Sequence, residues 1–229
     1  MSKKTALVVG GTSGLGLEIA TLLLRTHSSV HVTGRTKYGN IHAKLHYHRL
    51  DLTPPPGESL IPSIRMLLTE IGKVDTLVYA AGFREDNTLP ELQVNEVSKM
   101  ISVGLEAPIH LLRLIIQLQL QVETMIFITS TSQWTARKKE PVYSATKAAL
   151  GMLAESVSLD GRIKRTLVVG VAGMNTPFWD GSDKNTSSLL DPVWVAEQTL
   201  EQLEDEYAFR FVKVLYNPLR VIQEKERLI

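Results

Sequence analysis

The stretch Thr5–Gly16, TALVVGGTSGLG, decides how this chain is read. Its first half, Thr5–Gly10, is a continuous apolar run of the kind found in a strand buried on both faces. Its second half sets Gly10, Gly14 and Gly16 around Thr12, Ser13 and Leu15, and the residues from Gly14 to Arg25 read as the helix that follows. A strand that turns through glycine into a helix aims unpaired backbone N–H groups and the positive helix end at one point. Such a point suits an anion, and glycine lets a pyrophosphate approach while strand and helix pack closely. A tight turn without a ligand is the plainer alternative. The place of the turn, straight after an N-terminal strand, argues for a dinucleotide.

Outward from this turn the same style repeats. Val30–Gly34, His46–Leu50, Val74–Ala80, Thr124–Thr129, Thr166–Val171 and Phe209–Leu215 read as strands. Helical candidates lie near Pro62–Ile71, Asn95–Gln119, Val142–Leu159 and Pro192–Glu204. Apolar strands alternating with helices predict an α/β fold, a Rossmann-like doubly wound parallel sheet in three αβα layers. No internal repeat interrupts it, and residues 1–229 are expected to form one dinucleotide-binding and catalytic domain. The crossover Arg35–His46 leaves room for about one helical turn, and Pro54–Gly57 is a breaker before the next helix.

Composition narrows the partners. Hydrophobic residues are 44% of 229, and 25 Lys+Arg against 24 Asp+Glu leave a net charge of +1. That balance lacks the basic excess of a nucleic-acid binder and points to a small molecule. The absence of cysteine rules out a disulfide framework or thiolate metal site and fits a cytoplasmic location. Basic Met1–Lys4 precedes an apolar run too short, and too rich in glycine, for a signal peptide or membrane span. The apolar stretch Leu111–Leu120 carries Arg113, Gln117 and Gln119 and reads as a buried or interface helix. No membrane association is expected.

Two further segments carry chemistry. The second strand ends Thr33-Gly34-Arg35-Thr36 with no carboxylate beside it. An acidic residue there would hold a ribose 2′-hydroxyl, whereas Arg35 can fork onto a 2′-phosphate. NADP(H) is therefore favoured over NAD(H), the alternative being a solvated surface arginine. Farther on, Tyr143 and Lys147 lie four residues apart, on one face of a helix. A tyrosine phenol titrates near 10, too high for efficient proton transfer at neutral pH. An ammonium about 4 Å away, at an effective dielectric of about 20, favours the phenolate by up to about 4 kcal/mol. Lys147 can also hold the nicotinamide ribose. Ser130 ends the TMIFIT strand, 13 residues upstream of Tyr143, where carboxyl ends of parallel strands border the ligand crevice. Its hydroxyl would bind the substrate oxygen and stabilise developing negative charge, with Ser132 as a substitute.

The glycine turn, Ser130, Tyr143 and Lys147, in this order, resemble the short-chain dehydrogenase/reductase family, whose turn reads TGxxxGxG. Val9 here replaces the threonine. The resemblance implies hydride transfer between NADP(H) and a carbonyl or alcohol, with Tyr143 as acid/base, Lys147 on the ribose and Ser130 on the substrate. It places Asp51-Leu52 beside the adenine and Ala80-Ala81-Gly82 beside the ribose, although Tyr79-Ala80 stand where the family has two asparagines. Thr176 matches the threonine that touches the nicotinamide carboxamide, unless it is a helix cap. One departure bears on turnover: Gly104 occupies the place of an asparagine that supports a water-linked proton relay. The tail Phe209–Ile229 also lacks the family's glycine pair.

Phe83, Trp134, Met174, Phe178 and Trp179 fall on loops expected to overhang the substrate, though core packing explains them equally well. The Trp179–Leu190 loop suggests a small lid. His42, His46 and His48 are close in sequence; a polar edge is the simpler account than metal binding. Apolar helices Asn95–Gln119 and Val142–Leu159 suggest a homodimer or homotetramer. The rival readings are a non-enzymatic dinucleotide sensor or scaffold on this fold, favoured by Gly104 and Tyr79, and an isomerase or dehydratase.

Overall fold

The computed structural model describes residues 3–37, 41–55, 57–181 and 185–229. Strands β1 (Thr5–Val9), β2 (Ser29–Gly34), β3 (Leu45–Arg49), β4 (Thr76–Tyr79), β5 (Val122–Ser130), β6 (Ile163–Val171), β7 (Phe209–Tyr216) and β8 (Leu219–Arg227) form one sheet. Its order is β3-β2-β1-β4-β5-β6-β7-β8. All neighbours are parallel except β7 and β8. The helices are α1 (Gly14–Leu23), α2 (Ile61–Ile71), α3 (Val94–Ile101), α4 (Ala107–Gln117), α5 (Pro141–Val157) and α6 (Pro192–Glu201).

Successive strand residues face opposite sides, and both sides are apolar. Leu7, Val9, Leu77, Tyr79, Met125 and Phe127 pack under α2, α4 and α5. Ala6, Val8, Val32, Val78, Ile126 and Val169 pack under α1 and α6. The expected three-layer parallel architecture is thus present. Register aligns the strand ends: Val9 opposes Tyr79, Tyr79 opposes Phe127, and Ser130 opposes Val171. Chain order reverses at β1, which lies between β2 and β4, and a doubly wound sheet opens a ligand crevice at such a point.

Three features differ from the sequence reading. The expected helix Asn95–Gln119 is α3 and α4 joined by a π-helical turn, Ser102–Glu106. Pro108 lacks an N–H and cannot serve the carbonyl four or five residues back. The Ala107 N–H goes instead to the Ser102 carbonyl. The Val103 carbonyl is left over, and the buried Tyr79 hydroxyl donates to it. Tyr79, standing where the resemblance has an asparagine, thus braces the end of β4 to the π-turn. Second, the charged tail forms β8, whose Glu224 and Glu226 pair with Lys213 and Arg210 of β7. Third, the joined helix Val94–Gln117 is long and apolar enough to cross a membrane. In this fold its Val103, Leu111, Leu114 and Ile115 are buried against the sheet and α2, and Met100 is buried as well. The β2–β3 crossover carries no helix among its described residues. Parts of Met1–Lys4, of that crossover, of Pro54–Gly57 and of the Trp179–Leu190 loop lie outside the described residues.

Candidate active site

The glycine turn is built against the end of β4. Gly10 has φ +80, and a Cβ there would lie 2.6 Å from the Ala81 backbone nitrogen. The Ala80 N–H donates to the Val9 carbonyl, which fastens Ala80-Ala81-Gly82 to the turn. Ser13 precedes α1 in an extended conformation, and its hydroxyl makes no capping bond. The first-turn N–H groups of α1, at Gly14, Leu15 and Gly16, remain available to an anion. Thr176, in the loop after β6, faces this turn: a Cβ at Gly14 would lie 3.3 Å from its Cβ. Thr12 is buried against Gly34, whose missing side chain makes room for it. These residues fit a pyrophosphate.

Arg35 and Thr36 are exposed just beyond β2. Asp51 is exposed at the neighbouring strand end, where its Oδ1 accepts from the Thr53 N–H at 2.9 Å and hydroxyl at 2.7 Å. Its second oxygen is left for a ligand. Leu52 is buried, and its carbonyl accepts from the Ser102 hydroxyl at 2.7 Å.

Tyr143 and Lys147 share one face of α5 and are both buried, with the Lys147 Nζ 5.6 Å from the tyrosine ring centre. Burial disfavours charge on either group. It pushes the Tyr143 phenol up to about 12, opposed by the Ser130 hydrogen bond, raised by Glu140 and lowered by Arg84 and Arg137. It brings the Lys147 ammonium down to about 8. Lys147 Nζ donates to the Ile128 carbonyl at 3.1 Å, a bond that draws it along β5. The groups that lower the phenol are Ser130, Arg84 and Arg137, not Lys147 as expected, and desolvation outweighs them. Ser130, at the end of β5, opens a short turn, Thr131–Gln133, and its hydroxyl accepts from the Ser132 N–H at 3.1 Å.

The aromatic loop residues divide among three places. Phe178 lies 6.0 Å from the Tyr143 ring and meets Trp179 edge-on at 5.8 Å. Trp179 donates to the Met174 carbonyl at 2.9 Å and carries Arg84 over its ring at 4.2 Å. Phe83 packs on the core under α2, α4 and α5. Trp134 rests on the β6–β7 face, over Gly170, 5.7 Å from Phe211 and under Lys213 at 4.7 Å. Sequence reasoning passes over Arg84 and Glu140, which pair at 3.1 Å beside this wall. The signal was slight: one charge two residues after Gly82 and another three before Tyr143.

Gly104, to which the resemblance gives the place of a relay asparagine, has no space for a side chain. A Cβ there would come within 2.6 Å of the Thr146 Cβ. His46 and His48 stack on His31 at 4.9 and 5.1 Å, and His42 lies outside this stack. No cluster of three metal-ligating side chains occurs among the described residues.

A profile of the short chain dehydrogenase family matches residues 4–186. An uncharacterized oxidoreductase of Staphylococcus aureus strain MW2 is 26% identical over 212 residues, covering 89% of this chain and 92% of that protein. A short-chain dehydrogenase of Streptomyces avermitilis superposes with a TM-score of 0.75 at 22% identity, covering 92% of this chain and 88% of the other. One from Burkholderia cenocepacia, solved in complex with NADP, gives 0.76 at 16% identity, covering 91% and 87%. The match over residues 4–186 spans both the glycine turn and the Tyr143–Lys147 face, so the chain belongs to the short-chain dehydrogenase family.

Proposed function

We propose that this protein is an oxidoreductase that exchanges hydride between NADP(H) and a small carbonyl or alcohol. The observation that carries the reading is the buried Tyr143–Lys147 face beside Ser130, on the same sheet edge as the glycine turn. The dinucleotide supplies or accepts the hydride when bound. Its pyrophosphate would rest on the N–H groups of Gly14, Leu15 and Gly16, and its carboxamide on Thr176. Arg35 supports a 2′-phosphate, with no carboxylate at the end of β2 to compete. Asp51, Leu52 and Ala80–Gly82 would line the adenosine half.

Ser130 donates to the substrate oxygen and Tyr143 transfers the proton. A phenol protonated at neutral pH carries the proton that a reduced carbonyl needs, which suits the reductive direction, while its raised affinity for that proton leaves Lys147 to support the transfer. Lys147, still mostly protonated at neutrality, binds ribose hydroxyls and supports the phenolate left after transfer. Phe178 and Trp179 offer an apolar wall. Exposed Ile101, Ile109 and Met152 on the helical layer support a homodimer or homotetramer, and a cysteine-free chain is consistent with the cytoplasm.

The test is titration with NADPH and NADH, followed by a ketone and aldehyde panel read by nicotinamide absorbance. Tighter NADPH binding, lost in Arg35→Gln, is the expected result. Tyr143→Phe should lower turnover by about 100-fold or more with NADPH affinity kept. Equal loss of both would contradict the assigned role. The filled space at Gly104 favours a second reading, a dinucleotide sensor without catalysis. Tight binding of either cofactor with no turnover across the panel would move the assignment there.

A further inference from the structure

The serine turn after β5 is tied to a charged cluster outside the family's catalytic set. Glu140, just before α5, is largely buried and lies between two guanidiniums. Arg84 Nη1 is 3.1 Å from its Oε1, and Arg137 Nε is 3.6 Å from its Oε2. The Ser132 hydroxyl donates to Glu140 Oε2 at 2.8 Å and accepts from Arg137 Nε at 3.2 Å. Ser130 Oγ accepts the Ser132 N–H at 3.1 Å and lies 3.3 Å from Ser132 Oγ. Arg84 is itself fixed, with its guanidinium 4.2 Å above the Trp179 ring and 3.4 Å from Asp86.

A hydroxyl has one proton to give. Ser132 gives its proton to a charged carboxylate, the stronger kind of acceptor. Toward Ser130 it is left to accept. One lone pair of Ser130 is already engaged by the Ser132 N–H. The Ser130 proton is therefore left to donate: here it points to Ser132 Oγ on a 3.3 Å bond, long enough for a substrate oxygen to displace. That is the state in which Ser130 binds a carbonyl oxygen.

We propose that Glu140, clamped by Arg84 and Arg137, is a positioning residue that sets the direction of the Ser130 hydroxyl through Ser132. The inference rests on the roles given above to Ser130 and Tyr143. It also joins the substrate wall to the serine, since Arg84 touches both Trp179 and Glu140.

The experiment uses the full chain, NADPH and a ketone that the wild type reduces, comparing Ser132→Ala, Glu140→Gln and the double variant. Each single change should lower kcat by about tenfold while leaving the NADPH Kd unchanged. The double variant should be no worse than the weaker single, because both act along one chain. Tyr143 is faced by Glu140, Arg84 and Arg137, with Lys147 on its own helix. Removing only the carboxylate should move the basic limb of the kcat–pH profile to lower pH, whereas Ser132→Ala should not move it. Wild-type kcat in both singles, multiplying losses in the double, or Kd weakening in step with kcat would overturn the proposal. If Glu140→Gln does not fold, Ser132→Ala decides by its kcat at unchanged Kd. No turnover by the wild type would instead defeat the oxidoreductase reading, and this inference with it.

Discussion

Tyr79 and Gly104 both depart from the family pattern, and the structure ties each to a neighbour. Tyr79 is fully buried at the end of β4, and burial pushes its phenol far up, so that it remains a donor. The acceptor is the Val103 carbonyl, which the π-turn and Pro108 leave without a backbone partner. Tyr79→Phe removes the donor and strands that carbonyl in the core. The expected cost is about 1–3 kcal/mol in denaturant unfolding at unchanged m-value. A Tyr79→Phe protein as stable as the wild type would show that water or a backbone shift meets the carbonyl. One residue along from that carbonyl, Gly104 is held small by Thr146. An asparagine here would require Thr146 to retreat, so the relay is not recovered by one substitution. The sequence shows that both positions are unusual, but not their partners, because a side chain's neighbour across the fold depends on register and helix phase.

Elements were legible where one residue pattern determines one structure. The apolar runs at Thr5–Gly10, Val74–Ala80 and Thr166–Val171 read as buried strands between covering helices and became β1, β4 and part of β6, and the GGTSGLG turn announced α1. The histidines show the limit. His46 and His48 are visible as a pair in sequence, but β2–β3 register brings in His31, opposite His46. His31 Nδ1 lies 2.8 Å from His48 Nε2, and its Nε2 is 2.9 Å from Ser29 Oγ. On the α2 side, Glu70 faces His48 at 3.5 Å. Burial, then His48 and His46, brings His31 down to about 4 from its ordinary 6.5, with Glu70 acting the other way. Between those two values the unfolded chain takes up a proton that the folded sheet refuses. Stability from this group is complete above pH 6.5 and falls as pH drops toward 4. His31→Val should flatten unfolding free energy against pH across that window, measured by urea titrations. An identical acid slope in the variant would assign the effect to another group.

At the scale of the whole molecule, a parallel sheet is closed on one side by an antiparallel strand, which the charged tail concealed. Alternation in β8 is weak because many of its side chains are exposed, and its charges resemble a solvated end. Their partners lie on β7 and beyond: Arg210 meets Glu226 at 2.6 Å and Asp205 at 3.1 Å, and Lys213 meets Glu224 at 2.8 Å. Arg210 is 5% exposed, donates to the Gln202 carbonyl at 3.0 Å and lies 4.1 Å over the buried Tyr207 ring. It therefore joins β7, β8 and the segment after α6 through one guanidinium. Arg210→Met keeps the volume but leaves Glu226, mostly buried, without its partner. Breaking a buried pair on one side costs about 3–5 kcal/mol, and the 22% exposure of the Glu226 side chain puts this case at about 2–3 kcal/mol. Arg210→Met/Glu226→Leu removes both charges and should recover most of that loss, since the apolar pair leaves no unpaired ion. Recovery in the double variant would show that β8 is held by burial and backbone pairing, with the ion pair setting register. No recovery would make the guanidinium's bonds to Gln202 and Asp205 the dominant attachment.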